Sequence, residues 1–211
     1  MRTKHLFSVL GCAGLALATQ VNAATITFDW GTDASLGAPG DQGVTSKTFS
    51  KGGASLTIAS FGSGGDLWIK NLGGSESGLG QANESAHEIS SASGFLQISL
   101  PPSPPGSTLD LLVSGSVQSG EHSAVFFSLV NGTLGLVPVI GSAGPGAEQE
   151  QFIIPAGLFP YIDITASSGD VLVDTAQVTT PNVRVPDGGM TVALLGGALT
   201  ALGFARRKMV A

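Results

Sequence analysis

The chain is 211 residues long, with 42% apolar residues, 11% charged residues and 31 glycines. Between positions 24 and 187 there are four basic and fifteen acidic residues, so this region carries a net charge of −11. A field of that sign repels nucleic acid phosphates, and we therefore exclude a nucleic acid partner. The low charge content and the many glycines also disfavour long amphipathic helices.

The first 23 residues have the layout of a secretory signal peptide. Arg2 and Lys4 precede an apolar run over residues 6–18, and Val21-Asn22-Ala23 forms a small-x-small cleavage pattern. The run is too short to span a bilayer comfortably, since a helix rises about 1.5 Å per residue and the hydrocarbon core is roughly 30 Å thick. We therefore predict an N-terminal signal helix, export by Sec-type machinery and cleavage by signal peptidase.

Residues 24–180 are predicted to form one all-β module, a single β-sandwich of jelly-roll-like type. Phe28 and Trp30 share one face of a first alternating segment, as Leu56 and Ile58 do in a second. Further candidate strands, separated by turn-forming residues, cover residues 66–70, 94–100, 108–117, 123–130, 134–140, 149–154, 159–165 and 170–178. About eight to ten short strands at this spacing favour a sandwich.

The turn at Ser167-Ser168-Gly169 joins the last two of these segments. Ile162 and Ile164 alternate with polar residues before the turn, and Val171 and Val173 follow it. The pattern predicts a β-hairpin that closes the sandwich.

A short proline-containing motif, an apolar segment and a basic cluster follow one another at the C-terminal end. The motif consists of Val185, Pro186, Asp187, Gly188 and Gly189, the uncharged segment covers residues 190–205, and the basic cluster consists of Arg206, Arg207 and Lys208. This order resembles the PEP-CTERM class of sorting signals, and its opening resembles the VPDSG-CTERM variant, with Gly188 in place of the usual serine. The resemblance implies recognition by an exosortase-type membrane protease.

The physical character of the C-terminal end agrees with membrane insertion. As a helix, residues 190–205 reach about 24 Å, and the basic side chains after them extend that reach by snorkelling. Positive residues after the span favour a cytoplasmic tail at residues 206–211. We predict a linker with the sorting motif at residues 181–189, a transmembrane helix at residues 190–205, and an inner-membrane anchor that gives way to a surface or extracellular location after processing.

The body offers few residues for catalysis or metal binding. Two histidines remain after signal removal, and each adjoins a glutamate: Glu88 follows His87, and Glu121 precedes His122. Neither pair has zinc-like spacing, no Gly-x-Ser-x-Gly elbow supplies a nucleophile, and the single cysteine, Cys12, lies in the signal peptide. We therefore predict no catalytic residue, no metal site and no cofactor, and interpret both histidines as solvated loop residues.

Carboxylates of the body are the alternative candidates for chemistry. Two groups could supply oxygen ligands for calcium, namely Asp29, Asp33 and Asp41, or Asp163, Asp170 and Asp174. Because the sequence has neither an EF-hand spacing nor an Asp-rich repeat, we interpret these residues as an acidic solvated surface.

Trp68 is the candidate for a contact with a glycan. By alternation, its side chain lies on the same face of the predicted strand as those of Asp66 and Lys70, whereas Leu67 and Ile69 lie on the opposite face. The pattern predicts an indole on a polar face, where it stacks on a sugar ring or caps the sheet edge.

Three hypotheses for the function follow. The first is a non-enzymatic exported protein of the cell surface or extracellular matrix, associated with exopolysaccharide or biofilm, as the resemblance of the C-terminal signal implies. The alternative is a carbohydrate-binding module, and a second alternative is a surface glycan hydrolase built from carboxylates. The expected partners are the Sec-type export machinery, signal peptidase, the exosortase-type protease, the membrane and an exopolysaccharide.

Overall fold

The computed structural model describes residues 24–71, 77–84, 86–100, 106–115, 120–145, 149–155 and 157–180, together with Gly196, Gly197 and Leu199. The predicted signal peptide at residues 1–23 lies outside the described residues. So do the linker, sorting motif, transmembrane helix and basic tail predicted for residues 181–211, apart from those three positions. Within the described ranges, no helix combines the length and the apolar character needed to cross a bilayer.

The body is one compact unit, Ala23–Pro181, and its described part is built from strands. The strands are β1 (Ala24–Asp29), β2 (Gly40–Asp41), β3 (Ser46–Lys51), β4 (Ala54–Gly62), β5 (Leu67–Asn71), β6 (Ser77–Gln81), β7 (Ile89–Ser90), β8 (Gly94–Ser99), β9 (Thr108–Gly115), β10 (His122–Ser128), β11 (Val137–Val139), β12 (Ser142–Ala143), β13 (Gln149–Pro155), β14 (Tyr161–Ser168) and β15 (Asp170–Thr180). This confirms the all-β prediction for the body.

The strands form two sheets. The larger has the order β12-β13-β9-β15-β6-β5-β2, with β1 and β7 also paired to β15. The smaller has the order β11-β10-β14-β8-β4-β3. The β-strand pairings of both sheets are antiparallel.

A single hydrophobic core is shared by the two sheets. Phe28 of β1 and Trp30, just after that strand, are both buried, as their alternation predicted. The same holds for Leu56 and Ile58 of β4. The edge of the Trp30 ring packs on Phe49 of β3, with centroids 5.5 Å apart. Because alternate side chains of a strand point to opposite faces, this parity places one apolar face of each sheet inward.

The predicted hairpin at Ser167-Ser168-Gly169 is wrong. Strand β14 pairs with β8 and β10 in the smaller sheet, whereas β15 pairs with β1, β6, β7 and β9 in the larger one. The turn therefore carries the chain from one sheet to the other. A glycine is required there, because Gly169 has φ +65° and a Cβ on it would lie 2.2 Å from Cγ of Glu121. A turn signal between two alternating segments does not specify which partner each strand takes.

Five of the described strands were not predicted from the sequence: the two-residue strands β2, β7 and β12, and the longer strands β3 and β6. In β3 the only apolar residue is Phe49, and the strand pairs with β4 through hydroxyl contacts such as Thr48 with Thr57 at 2.8 Å. In β6 residues 77–81 are all buried, but Leu79 is the only large apolar residue among them. Neither strand shows the apolar alternation that was used to find the others.

Candidate functional site: a groove between two sheet edges

A groove of about 720 Å³ lies where an edge of one sheet meets an edge of the other. Strand β11 is the edge of the smaller sheet, β12 is the edge of the larger one, and the chain crosses between them at residues 140–141. The lining is drawn from residues 120–126, 138–143 and 149–152, which belong to β10 and the residues before it, β11, the crossing, β12 and β13.

Glu150 of β13 reaches across the groove to β10. The backbone N–H of Ser123 donates to Oε2 of Glu150 at 3.0 Å, and the Ser123 hydroxyl donates to the same oxygen. On the other side, Nδ1 of His122 lies 3.3 Å from Oε1 of Glu150. The carboxylate is therefore fixed in orientation from both sides while its side chain stays 31% exposed.

Glu121 adds a second carboxylate to the groove lining. Its Oε2 atom is buried, and no described residue donates a hydrogen bond to it. The lysines of the described body, Lys47, Lys51 and Lys70, lie on β3 and β5 rather than in the groove. The described lining residues therefore carry a negative formal charge when His122 is counted as neutral.

The rest of the lining is largely apolar. Val125 and Phe152 are buried core residues that reach the groove, and Phe126 and Val139 are half-buried beside them. Gly141 lies directly against the Phe152 ring, since a Cβ at position 141 would come within 2.6 Å of a ring carbon. The crossing between the sheets therefore depends on a glycine at this point.

The groups around Glu150 do not form the relay of a serine hydrolase. In such a relay the imidazole lies between the serine hydroxyl and the carboxylate. Here the carboxylate of Glu150 lies between Ser123 and His122, and the serine hydroxyl donates to it. What the groove combines is apolar surface and fixed hydrogen-bond acceptors, a combination typical of small-ligand sites.

Trp68 lies elsewhere, and its predicted polar face is covered. The ring of His87 stacks on the indole, and Nδ1 of His87 lies 3.1 Å from the carbonyl oxygen of Ala82. Lys70, on the same face of β5, is only 8% exposed and lies 2.5 Å from a carboxylate oxygen of Glu88, which is 2% exposed. The indole therefore lies on the polar face that alternation predicted, but His87, a half-buried loop residue, and the Lys70–Glu88 pair cover that face. The glycan contact of Trp68 stays a prediction.

His122 is exposed, as predicted, with 62% of its side chain accessible, but it begins strand β10 rather than lying in a loop. Its ring contacts Glu150 and not Glu121, its neighbour in the sequence. No signal in the sequence marked Glu150, since partners 28 positions apart meet only when the two sheets pack.

Several of the aspartates that could have bound calcium have other partners in the structure. The carboxylates of Asp33 and Asp41 are occupied locally, with Lys51 2.6 Å from Asp33 and the N–H of Gly43 donating to Asp41 at 2.8 Å. The hydrogen bonds from Lys51 and Ser35 lower the pKa of Asp33 to about 2. Among the described residues, no group of three or more His, Cys, Asp or Glu is placed to hold a metal ion.

Asp163 and Asp174 lie in opposite sheets, and Asp163 is not the solvated residue that was predicted. It is fully buried, with Gln97 and the N–H of Gly135 each donating to it at 2.7 Å. Burial raises the pKa of Asp163. Burial, followed by the charge of Asp29, raises the pKa of Asp174 to about 6.

The fold and the sequence together define an all-β body followed by a C-terminal sorting signal. Residues 184–209 match the family model of the VPDSG-CTERM motif. The chain therefore carries a sorting signal of that family, which supports export and sorting by exosortase-type machinery. No curated protein and no solved structure matches the chain significantly.

Proposed function

We propose that this protein is a non-enzymatic component of the cell surface or extracellular matrix that associates with exopolysaccharide or biofilm material. The observation that carries the proposal is the VPDSG-CTERM motif at residues 184–209. A signal peptide at residues 1–23 directs export, and the helix at residues 190–205 holds the body at the inner membrane until an exosortase-type protease acts. The body is then displayed on the surface or released.

We assign the body to the jelly-roll-like sandwiches. Successive long strands alternate between the sheets, from β8 in the smaller to β9 in the larger, then β10, β13, β14 and β15. These alternating strands accordingly pair with partners that are distant in sequence, as β9 and β15 do, whereas β3–β4 and β5–β6 are pairs of consecutive strands. Alternation of this kind distinguishes a jelly roll from a meander of hairpins.

Intact-mass analysis of the protein from membrane and extracellular fractions of its native host tests the sorting part of the proposal. We expect the extracellular form to lack residues 1–23 and the segment after the motif that begins at Val185. A form that keeps residues 190–211 in every fraction would instead make the protein a simple C-terminally anchored one.

Matrix association requires a separate test. Antibody detection is expected to find the body with the exopolysaccharide fraction of wild-type cells and in the soluble medium of a strain that makes no exopolysaccharide. A variant that lacks residues 184–211 controls for the tail, because it is exported without the sorting signal. The same distribution in both strains would contradict an association with exopolysaccharide.

A carbohydrate-binding module is a second candidate, and the groove beside Glu150 favours it. Sugar rings have apolar faces and many hydroxyl donors, and the groove offers both apolar surface and carboxylate acceptors.

The hydrolase alternative uses the same carboxylates as acid and base. Incubating the purified protein with polysaccharides should yield no reducing ends; turnover that disappears in Glu121→Gln or Glu150→Gln would contradict the non-enzymatic proposal.

A further inference from the structure

We infer that the groove beside Glu150 binds a glycan whose sugars carry protonated amino groups, such as a de-N-acetylated amino-sugar polymer. This inference rests on the proposed function, because it names the class of polysaccharide that the body would recognise. The groove has a volume of about 720 Å³, within the roughly 300–1,000 Å³ typical of small-ligand sites.

The charge of the groove selects the class of ligand. Glu121 and Glu150 both line it, and no lysine or arginine is among the described lining residues. The region from residue 24 to residue 187 carries a net charge of −11, so the long-range field attracts cations and repels uronic acids and sulfated sugars. An amino sugar differs from a neutral hexose by the ammonium group that these carboxylates complement.

The carboxylate of Glu150 is set in place before any ligand arrives. The N–H and hydroxyl of Ser123 hold one of its oxygens, and the other lies beside His122. A carboxylate that is already oriented loses little conformational freedom when it accepts a hydrogen bond from an ammonium group. Such charge-assisted hydrogen bonds are shorter and about twice as strong as neutral ones.

Glu121 supplies a second negative charge to the lining. Its Oε2 atom is buried, and no described residue donates to it. Because that oxygen is closed off, Glu121 acts on a ligand in the groove through its charge rather than through a hydrogen bond at Oε2. The apolar surface of Phe126 and Val139 on the same groove suits the carbon-bound face of a pyranose ring.

The experiment is calorimetric titration of the full chain, purified in a neutral detergent, at physiological ionic strength. Under these conditions surface charges are screened beyond about 8 Å, which suppresses non-specific binding of a cationic glycan. The probes are a chitosan hexamer, its fully N-acetylated counterpart and cellohexaose. We expect the chitosan hexamer to bind at least about tenfold more tightly than either neutral probe.

Two variants locate the binding in the groove. Glu150→Gln removes the charge but keeps an acceptor for Ser123, and should weaken chitosan binding by about tenfold, the loss expected for one charge-assisted hydrogen bond. Ser142→Trp places a large ring on the exposed edge strand β12 without changing any charge, and should abolish binding by filling part of the groove. The matched control Glu84→Gln makes the same charge change in the loop after β6 and should leave affinity unchanged.

Equal losses in Glu150→Gln and Glu84→Gln would overturn the inference, because binding would then depend on net charge alone. Equal affinity for chitosan and cellohexaose would overturn it as well, since the carboxylates would not select the ligand. An unchanged thermal midpoint in each variant shows that the fold is intact. Association of the protein with the matrix is measured in a separate experiment on its host. If the groove fails to bind chitosan, this inference is wrong, but the proposed surface role is not affected.

Discussion

The indole of Trp68 and the imidazole of His87 lie face to face, with ring centroids 3.7 Å apart and planes 12° from parallel. His87 has φ +59°, in the left-handed region that costs a non-glycine residue about 1–2 kcal/mol. The stack, and the contact of Nδ1 with the carbonyl oxygen of Ala82, offset that cost. The loop after β6 is therefore fastened to β5 through an aromatic ring.

Replacing His87 by alanine should expose one face of Trp68. We expect a red shift of tryptophan emission, faster quenching by acrylamide and a loss of about 0.5–1.5 kcal/mol in the free energy of unfolding, the usual contribution of an aromatic pair. Trp30 is only 2% exposed and adds a constant background. His122→Ala is the control, because that ring is exposed and stacks on no described aromatic residue. Identical emission spectra for His87→Ala and the wild type would contradict the stack.

Lys70 of β5 and Glu88 form a buried ion pair, with Nζ and Oε1 2.5 Å apart. Glu88→Ala removes the carboxylate from a buried ion pair, so it should lower the free energy of unfolding by about 3–5 kcal/mol in urea titrations. The double variant Lys70→Met, Glu88→Leu replaces both charges by apolar groups of similar volume. It should recover most of that loss.

The exposed pair of Lys51 and Asp33 provides the comparison for this measurement. Its atoms are 2.6 Å apart, but the Lys51 side chain is 38% exposed. Exposed pairs contribute only about 0–1 kcal/mol, so Asp33→Ala should have a much smaller effect than Glu88→Ala. Similar losses for the two variants would mean that the Lys70–Glu88 pair is not desolvated as the structure shows.

The features of the fold that the sequence predicted correctly are local ones. Alternation at Phe28 and Trp30, and at Leu56 and Ile58, predicted which side chains are buried, because the periodicity of a strand fixes the face of each residue. The C-terminal sorting motif was also recognised from the local order of residue types, and the family model matches it at residues 184–209. The turn at Ser168 failed because its two flanking strands take their partners from different sheets.

The site was beyond the sequence for a related reason. Parity placed Trp68 on a polar face correctly, but it could not show that His87 and the buried Glu88 cover that face. Glu150 meets Ser123 only because β13 and β10 lie at adjoining edges of two different sheets. Contacts of this kind depend on how the sheets pack, which no short pattern encodes.

Asp163 fastens the loop at residues 129–136 to the smaller sheet. Its carboxylate accepts hydrogen bonds from Gln97 and from the N–H of Gly135, each at 2.7 Å. Asp163→Asn retains one acceptor but leaves one of these buried donors without a partner, which should cost about 1–3 kcal/mol. Hydrogen exchange of the Gly135 amide should accelerate, while amides in β9, in the other sheet, stay protected. Unchanged exchange at Gly135 would contradict this role of Asp163.

Asp174 gives the stability of the body a specific dependence on pH. Burial and the charge of Asp29 raise its pKa to about 6 in the folded state, whereas an unfolded aspartate titrates near 3.9. Below about pH 4 the carboxyl group is protonated in both states. As the pH rises towards 6 the unfolded state loses its proton first, so the stabilising contribution of the protonated Asp174 is lost across this window.

Urea unfolding of wild type and Asp174→Asn between pH 4 and pH 7 isolates this contribution. The asparagine keeps an oxygen that accepts the 2.9 Å hydrogen bond from Gln149, but it cannot ionise. The wild-type free energy of unfolding, minus that of the variant, should fall by on the order of 1–2 kcal/mol from pH 4 to pH 6 and stay constant above pH 7. The raised pKa of Asp163 affects both proteins equally and cancels. A difference that does not change with pH would show that Asp174 titrates alike in both states, and a difference that rises with pH would mean that its folded pKa is depressed.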